Sequence, residues 1–212
     1  MTRGAATTTL TRPAYRAAKR AFDIAVSAFA LVLLAPTLAA IAAAVWIDDP
    51  RAPVIFRQRR CGYGGRSFTL LKFRTMVRGA DAMKETLRDR SLVGWPDFRL
   101  VNDPRVTRLG RVLRRTSLDE LPQLVNVLVG HMSLVGPRPT SFDFTTYELW
   151  QTARLDFRPG LTGPWQIYGR NQMDFADRCR LEIQFFRTTS MLRELRLLLA
   201  TALTVIRRTG VA

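Results

Sequence analysis

The sequence predicts a mostly helical α/β domain that associates with a membrane, and three observations lead to this fold class. An uncharged segment of 24 residues lies near the start, a glycine-rich turn separates two strand-like runs, and amphipathic patterns follow. With 212 residues, the chain is long enough for one domain with a substantial core. The expected division is a basic N-terminal segment over residues 1–23, a re-entrant membrane helix over 24–47, and a single further domain over 48–212.

Arginine dominates the charged residues. Lysine and arginine together number 33 against 17 acidic residues, which gives a net charge of +16 at pH 7, and only Lys19, Lys72 and Lys84 are lysines. Arginine binds phosphate through a planar fork of donors, so the composition suits a polyanionic partner such as a nucleic acid, an anionic lipid or a nucleotide. The charge does not choose among these partners, and genomic codon bias would give the same excess of arginine.

The cysteines and the histidine narrow the kinds of site that the chain can hold. Cys61 and Cys179 lie far apart and match no metal-binding or redox spacing. This usage indicates a reducing compartment and no disulfide framework. His131 is the only histidine in the sequence, so a histidine-rich metal site is excluded.

The uncharged segment from Ile24 to Ile47 is long enough to cross a bilayer, since as one helix it would reach roughly 36 Å. Pro36 lies at its middle, where it removes a backbone donor and kinks or breaks the helix. Five cations precede the segment within residues 1–23, and five follow it within 48–67. A spanning helix normally shows a cationic bias toward the cytoplasmic side, so this balance favours a helix that breaks at Pro36 and returns to the same face. A spanning helix and a buried core helix stay as alternatives.

A β-hairpin is predicted directly after the membrane segment. Residues Val54 to Gln58 and Ser67 to Phe73 are strand-like, and three glycines between them supply the turn. The glycines lack the spacing of a phosphate-binding loop. Residues 79–104 are polar and broken by prolines, which predicts a flexible connection.

Two amphipathic helices are predicted in the second half of the chain. Residues 105–115 place apolar side chains on one side and arginines, Arg105 among them, over the other. Such an arginine face is usually solvated, and beside a membrane it would also bind lipid phosphates. Near the C-terminus, apolar residues recur at helical spacing around an uncharged run from Leu197 to Ile206, which is too short to span a membrane. This last helix either packs on the domain or lies in the interface.

An acid pair, Asp119 and Glu120, stands out in so basic a chain. Ser117 and Glu120 have the spacing of a capping box, and an apolar helical pattern follows. Pro122 fits the first turn better if Asp119 is the N-cap, so both residues remain candidates for the cap. In either case the two carboxylates are expected in the first turn of a helix, where the macrodipole favours an ionised Asp119 and a nearby phosphate.

Basic residues elsewhere complete a candidate phosphate site. Arg138 lies between two prolines, which hold its backbone extended and so direct its guanidinium. Lys72 lies in an otherwise apolar strand, and the segment RPGLTGPWQIYGRN combines Arg158 and Arg170 with glycines and aromatic residues. With the acid pair, these residues suggest phosphoryl transfer by a carboxylate nucleophile, with a second carboxylate for Mg²⁺ and guanidinium clamps.

Three motifs resemble one known family. The segments KFRTM, TRLGRVLRRTSLDELPQLVNVLVGHMSLVGPRP and RPGLTGPWQIYGRN are similar, in this order, to those of the bacterial sugar transferases, the monotopic polyprenyl-phosphate phosphoglycosyl transferases. The resemblance runs from about Lys19 to Val211 and is to the minimal catalytic core of the family.

The resemblance implies a function and roles for individual residues. The family transfers a phosphosugar from a UDP-sugar to polyprenyl phosphate, usually undecaprenyl phosphate, and releases UMP at the cytoplasmic face of the bacterial inner membrane. This step begins the synthesis of surface glycans or exopolysaccharide. The resemblance also implies that residues 48–212 form the catalytic domain. Asp119 matches the nucleophile that carries the phosphosugar, and Glu120, with Asp119, matches the Mg²⁺ site. Basic positions near the substrate phosphates are matched by Lys72, Arg114, Arg138 and Arg170, and the break in the membrane helix is matched by Pro36.

Two other functional classes remain open from the sequence alone. A basic, membrane-anchored nucleic-acid binder would explain the charge but not the acid pair, and we expect no nucleic-acid partner. A noncatalytic scaffold for polysaccharide assembly would tolerate loss of Asp119. The expected partners are a UDP-sugar, polyprenyl phosphate and membrane lipids, and a homodimer is left open together with the identity of the sugar.

Overall fold

The structure, a computed structural model, describes residues 13–88, 91, 100, 102–169 and 173–207. The described chain is mostly helical, with two small sheets of two strands each. The helices are α1 (Pro13–Leu33), α2 (Ala35–Asp48), α3 (Met83–Thr86), α4 (Arg108–Arg115), α5 (Gln123–Val129), α6 (Phe175–Arg187) and α7 (Met191–Arg207), and the strands are β1 (Ile55–Cys61), β2 (Ser67–Phe73), β3 (Ser133–Val135) and β4 (Gly160–Thr162).

The predicted break in the N-terminal helix is confirmed. Helix α1 ends at Leu33, α2 begins at Ala35, and the two helices are bent by 63°. Pro36 lies in the first turn of α2 and has no N–H to continue the α1 ladder. Within the described residues, no single helix has the length and apolarity to cross a membrane, whereas the bent pair together meets both criteria. Helix α1 also runs across position 23, where the basic segment was expected to end.

Helix α1 is fixed to the rest of the domain by polar side chains. Arg20 donates hydrogen bonds to the backbone carbonyls of Val127 and Leu128, both at 2.7 Å. The buried carboxylate of Asp23 accepts from the backbone N–H of Leu134 at 3.1 Å. These contacts tie the charged first half of α1 to α5 and β3.

The second half of helix α2 packs against the same domain as α1. Ile41 and Val45 are buried in a cluster with Phe73 of β2 and Leu113 of α4. The Arg74 guanidinium donates to the carbonyl of Val45 at 2.8 Å and to that of Asp49, the C-cap of the helix, at 2.9 Å. Both arms of the bent pair therefore contact one body.

The predicted β-hairpin is confirmed. Strands β1 and β2 pair antiparallel from Ile55 opposite Phe73 to Cys61 opposite Ser67. Strand β1 continues three residues beyond the predicted end at Gln58, because the following residues keep their partners in β2. Gly64 in the turn has a φ of +62°, in the left-handed region that favours glycine.

Strands β3 and β4 form a parallel pair that the sequence did not predict. Three-residue strands are too short to show an alternating pattern. Ser133 lies opposite Gly160, and Gly136 directly after β3 approaches the neighbouring backbone so closely that a Cβ would lie 2.1 Å from the carbonyl oxygen of Arg158. This pair carries the start of the loop that holds Arg138.

The helix predicted over 105–115 is shorter than expected. The Thr107 side chain accepts a hydrogen bond from the Gly110 N–H and caps α4, so the helix begins at Arg108. Arg105 was expected on a solvated helix face, and this prediction is wrong: its side chain is buried and pairs with Asp103 at 2.6 Å. Much of the connection predicted over 79–104 lies outside the described residues.

Helix α7 packs on the domain, which is one of the two alternatives considered for the C-terminal helix. Leu197 is fully buried against Val135 and Phe186. On another side of the helix an apolar row is exposed, formed by Leu192, Leu195, Leu199 and Leu203. Both cysteines are free and buried, in agreement with the absence of a disulfide framework.

Candidate active site

The acid pair lies in a 3-10 turn, Leu118–Glu120, and not in the first turn of an α-helix as predicted. Ser117 has a left-handed backbone with a φ of +56°, and its side chain caps nothing. Helix α5 begins only at Gln123, after Pro122, so the prediction that Ser117 or Asp119 caps this helix is wrong. Because successive residues of a 3-10 helix are about 120° apart, the two carboxylates point in different directions.

Glu120 is held by two cations. Its Oε1 accepts from Lys72 Nζ at 2.7 Å and from Arg138 Nη2 at 2.6 Å, and its Oε2 lies 3.3 Å from Arg138 Nη1. Burial alone would raise the pKa of Glu120, but the charges and hydrogen bonds of Arg138 and Lys72 outweigh burial and hold the pKa well below its usual range. Glu120 is therefore fixed in place and ionised.

Asp119 has the opposite environment. It is 6% exposed, and its Oδ2 lies 3.9 Å from Lys72 Nζ. Within the described residues, the Asp119 carboxylate accepts no hydrogen bond from the protein. Burial raises its pKa, and the nearby charge of Glu120 adds to this, while Lys72 and Arg114 oppose the shift without cancelling it. Asp119 therefore keeps free lone pairs and a more basic carboxylate, which are properties of a nucleophile.

The β-hairpin brings Lys72 to the acid pair. Asn126 of α5 bridges to β2, because its Oδ1 accepts from the Leu71 N–H at 3.0 Å and its Nδ2 donates to the Thr69 carbonyl at 2.7 Å. Burial lowers the pKa of Lys72, and the charge of Glu120 works against this shift. Lys72 therefore joins the two carboxylates as the sequence predicted, although the role of Asn126 was not predicted.

Arg114 reaches the site from the end of α4. Its Nε donates to Thr75 Oγ1 at 2.9 Å, and its charge acts on the pKa of Asp119. The close approach depends on Gly110, since a Cβ there would lie 2.1 Å from the Thr75 carbonyl oxygen. The structure thus brings together Lys72, Arg114, Asp119, Glu120 and Arg138, which we call the reactive cluster.

The segment after β4 reaches the cluster only in part. Arg170, one of the predicted basic site residues, lies outside the described residues. Trp165 borders a cavity of about 110 Å³ that Arg138 also lines, together with Arg60 and Arg178. Arg158 instead lines a separate cavity of about 300 Å³ beside α1 and α7. An aromatic ring and several guanidinium groups therefore lie beside the reactive cluster.

Two residues that hold Arg138 were not recognised in the sequence. Arg154 and Glu182 form a buried ion pair at 2.6 Å, and both bind the backbone of Arg138. A signal existed, because Glu182 shares one face of a helical pattern with the apolar residues Cys179 and Ile183. A carboxylate on an apolar face requires a buried partner.

The candidate donors for a metal ion are the two carboxylates of the acid pair. In the part of the chain that the structure describes, no group of three or more His, Cys, Asp or Glu residues could hold a metal. Mg²⁺, however, is commonly bound through one or two carboxylates, with substrate phosphates and waters completing its shell. Asp119 and Glu120 fit this binding mode, provided that Glu120 exchanges part of its contact with Lys72 and Arg138.

Comparisons with known proteins assign the chain to a family. The family model for bacterial sugar transferases matches residues 14–208. The exopolysaccharide production protein ExoY of Rhizobium meliloti is 42% identical over 191 residues, which are 87% of this chain and 83% of ExoY. The UDP-glucose:undecaprenyl-phosphate glucose-1-phosphate transferase of Caulobacter vibrioides is 39% identical over 201 residues, 91% of this chain and 71% of the relative.

A third relative is much longer than this chain. The undecaprenyl-phosphate galactose phosphotransferase of Salmonella typhimurium is 39% identical over 206 residues, which are 95% of this chain but only 43% of the relative. The matched part therefore corresponds to one region of that larger protein. The family expected from the three sequence motifs is confirmed: the chain belongs to the bacterial sugar transferases.

Proposed function

We propose that the chain is a phosphoglycosyl transferase that moves a phosphosugar from a UDP-sugar to a polyprenyl phosphate, such as undecaprenyl phosphate, and so begins the synthesis of a surface glycan or exopolysaccharide. The observation that carries the proposal is the contrast within the acid pair. Glu120 is held by two cations, whereas Asp119 is buried, accepts no hydrogen bond from the described residues and has a raised pKa. Neighbouring carboxylates whose pKa values are driven apart commonly have different chemical roles.

The first half-reaction is an attack by Asp119. A carboxylate oxygen of Asp119 bonds to the β-phosphorus of the UDP-sugar, the bond from this phosphorus to the oxygen bridging to the α-phosphate breaks, and UMP leaves. Repulsion between the carboxylate and the diphosphate opposes this step. Lys72, Arg114 and Arg138 would lower the repulsion, because their positive charges act on Asp119 or lie beside Glu120.

The second half-reaction releases the product. A phosphate oxygen of the polyprenyl phosphate attacks the phosphorus of the aspartyl-phosphosugar, Asp119 leaves as a free carboxylate, and a polyprenyl diphosphate sugar forms. The covalent intermediate means that the water-soluble nucleotide and the lipid phosphate need not be bound at once. Mg²⁺, which we place on Asp119 and Glu120, would supply positive charge to the phosphate oxygens when bound.

The cavity beside Arg138 is the proposed position of the nucleotide. Its lining combines Arg60, Arg138 and Arg178 with the ring of Trp165. Guanidinium groups bind phosphates, and an aromatic ring can stack on a base. Arg170 is proposed to complete this phosphate-binding set.

The bent helix pair is proposed to enter one leaflet and return to the cytoplasmic face of the bacterial inner membrane. If α1 stood upright in a bilayer, residues 24–47 would project only roughly 24 Å along the membrane normal, because α2 departs from that direction by 63°. This is short of the ~30 Å hydrocarbon core. The contacts of both arms with one body also favour re-entry, and residues 48–212 are then the catalytic domain on the cytoplasmic side.

Thiol labelling tests this topology. In a background with Cys61 and Cys179 replaced, single cysteines are introduced as Arg12→Cys and Arg51→Cys. Both should be shielded from membrane-impermeant thiol reagents added to intact spheroplasts, whose inner membrane is the barrier. Both should react once detergent opens the membrane. Labelling of only one position before detergent would indicate a spanning helix and exclude re-entry.

A substrate panel tests the proposed activity. Protein extracted with membrane lipids is mixed with undecaprenyl phosphate and each of several UDP-sugars, and release of UMP is measured together with the lipid product. We expect turnover with at least one UDP-sugar and a requirement for Mg²⁺. If no UDP-sugar gives UMP and binding to nucleic acid without turnover is found instead, the proposed activity is excluded for this chain.

A further inference from the structure

The loop that carries Arg138 has few backbone N–H groups with which to form hydrogen bonds that fix its position. Arg138 lies between Pro137 and Pro139, neither of which has an N–H. The N–H of Arg138 is therefore the only backbone donor among these three residues. The neighbouring carbonyls are each bound from a different element: Pro137 by the Gly160 N–H at 2.9 Å, Pro139 by Arg60 Nη1 at 3.2 Å.

The backbone of Arg138 itself is bound on both sides by one ion pair. Its N–H donates to Glu182 Oε1 at 3.0 Å, and its carbonyl accepts from Arg154 Nη2 at 2.8 Å. Arg154 and Glu182 also bind each other directly, because Arg154 Nε and Nη2 both donate to Glu182 Oε2, at 2.9 and 2.6 Å. Arg154 Nη1 donates to the Tyr147 hydroxyl at 3.0 Å. Five hydrogen bonds therefore hold the backbone of Arg138 and the ion pair that binds it.

Stability is a weak reason for such a pair. Glu182 is completely buried and Arg154 is 5% exposed. Removing two charges from water costs about as much as their attraction returns, so a buried ion pair is often no better for stability than apolar side chains of the same size. What an apolar pair cannot do is bind an N–H and a carbonyl of one residue at the same time.

We propose that Arg154 and Glu182 are positioning residues for phosphosugar transfer, which orient the Arg138 guanidinium toward Glu120 and the substrate phosphates by fixing the Arg138 backbone. This inference rests on the proposed function, since it gives the reacting phosphate as the group that Arg138 must meet. Both residues also line the cavity beside Arg138, but within the described residues neither forms a hydrogen bond or ion pair with Asp119 or Glu120, so they act on the reacting groups through Arg138. The contacts of the Arg138 guanidinium, at 2.6 and 3.3 Å from the two Glu120 oxygens, show the alignment that they maintain.

Arg154→Lys is the test variant. Lysine keeps the charge beside Glu182 but lacks the planar fork, so it cannot hold Glu182, Tyr147 and the Arg138 carbonyl together. We expect the single-turnover rate of UMP release from the UDP-sugar to fall about 10- to 100-fold, the loss typical of a small displacement of a reacting group. Tyr147→Phe, which removes only one acceptor of Arg154, is the milder second variant and should slow the same step about 2- to 5-fold.

A double-mutant cycle separates positioning from a general effect on folding. In an Arg138→Ala background, the guanidinium that the pair positions is gone, so Arg154→Lys and Tyr147→Phe should slow the reaction no further. If either substitution slows the Arg138→Ala enzyme by the same factor as it slows the wild type, the positioning role is wrong. A wild-type rate for both single variants would also overturn it.

Two controls keep the outcomes distinct. Arg180→Lys makes the same substitution in an exposed ion pair with Asp177 on the same helix as Glu182 and should leave the rate unchanged. The wild-type chain must release UMP in the same assay. Failure of the wild type with every UDP-sugar would reject the proposed function, whereas an active wild type with additive variants would reject only the positioning role.

Discussion

Arg138 joins two groups of carboxylates and cations that have opposite character. Its guanidinium belongs to the reactive cluster, where three cations face two carboxylates and Asp119 accepts no hydrogen bond from the described residues. Its backbone is bound by Arg154 and Glu182, a buried one-to-one pair in which all three guanidinium nitrogens donate and both carboxylate oxygens accept hydrogen bonds. In the first group, cations outnumber carboxylates and Asp119 accepts no hydrogen bond from the described residues, whereas in the second group the charges balance and both partners are hydrogen-bonded.

The two groups differ because they have different roles: the reactive cluster carries out the reaction, and the Arg154–Glu182 pair holds Arg138 in position. A group that must form a bond to phosphorus requires an electron pair that no protein donor occupies. A group that must hold a loop in one position requires every donor and acceptor to be used, because an unpaired polar atom in the interior is costly. The two groups share Arg138, so the support can act on the chemistry through a single residue.

The largest expected effect is on stability, at the supporting pair. Glu182→Leu leaves the Arg154 charge buried without a partner and should lower the free energy of unfolding by about 3–5 kcal/mol. Adding Arg154→Met removes the stranded charge and should restore most of this loss. Thermal unfolding of both variants measures the effect, and the double variant should remain slow in UMP release although it is stable. Full activity in the double variant would show that the backbone of Arg138 needs no such support.

The next effect is on catalysis, at the residue that the two groups share. Arg138→Ala removes a donor to the reacting phosphate, and we expect kcat to fall about 10²- to 10³-fold, as for other preorganised donors. Membrane association and folding should be retained. Arg88→Ala, in an exposed pair with Glu85, is the matched control. A kcat that stays within about twofold of the wild type would assign Arg138 to structure alone.

The two carboxylates of the reactive cluster should have opposite effects on stability. Because the pKa of Glu120 is depressed in the fold, its charge stabilises the protein above the ordinary glutamate pKa, and this contribution is lost as the pH falls. Glu120→Gln should therefore cost about 1.5–3 kcal/mol at pH 7.

Because the pKa of Asp119 is raised, its ionisation opposes folding as the pH rises through that pKa. Asp119→Asn should thus raise the melting temperature at neutral pH, and the difference should vanish in acid. Two variants with equal losses of stability would contradict the assigned environments.

The smallest effect is a shift in the pH dependence of the reaction. Asp119 must be ionised to attack, so the rate of UMP release should fall as the pH drops through its pKa, and this fall should begin above the ordinary aspartate value of ~3.9. Lys72 lowers the pKa of Asp119. Lys72→Met should therefore move the acid limb of the profile to higher pH, and an unchanged limb would show that another group is titrated.

Much of this architecture could be predicted from local patterns. Pro36 in an uncharged segment gave the helix break, and glycines between strand-like runs gave the β-hairpin, because both signals depend on only a few neighbouring residues. The motifs also gave the members of the reactive cluster. The position of Arg170 stays a prediction.

The parts that could not be predicted depend on contacts between distant residues. Ser117 had the right spacing for a helix cap, but residues 118–120 contact β2 and form a 3-10 turn, and the helix begins only after Pro122, so the predicted helix start was wrong. Arg105 matched a solvated helix pattern, but its side chain is buried and donates to the carbonyl of Ala80, 25 positions away. The support of Arg138 joins residues 16 and 44 positions away, and no local pattern reveals such a contact.

The most direct test of the central claim is mass spectrometry of the protein after incubation with a UDP-sugar and Mg²⁺ in the absence of any polyprenyl phosphate. We expect about one equivalent of UMP per active site and a phosphosugar adduct on the peptide that contains Asp119, with neither found for Asp119→Asn. Release of UMP that strictly requires polyprenyl phosphate, with no adduct on that peptide, would contradict the covalent route and make direct transfer the mechanism.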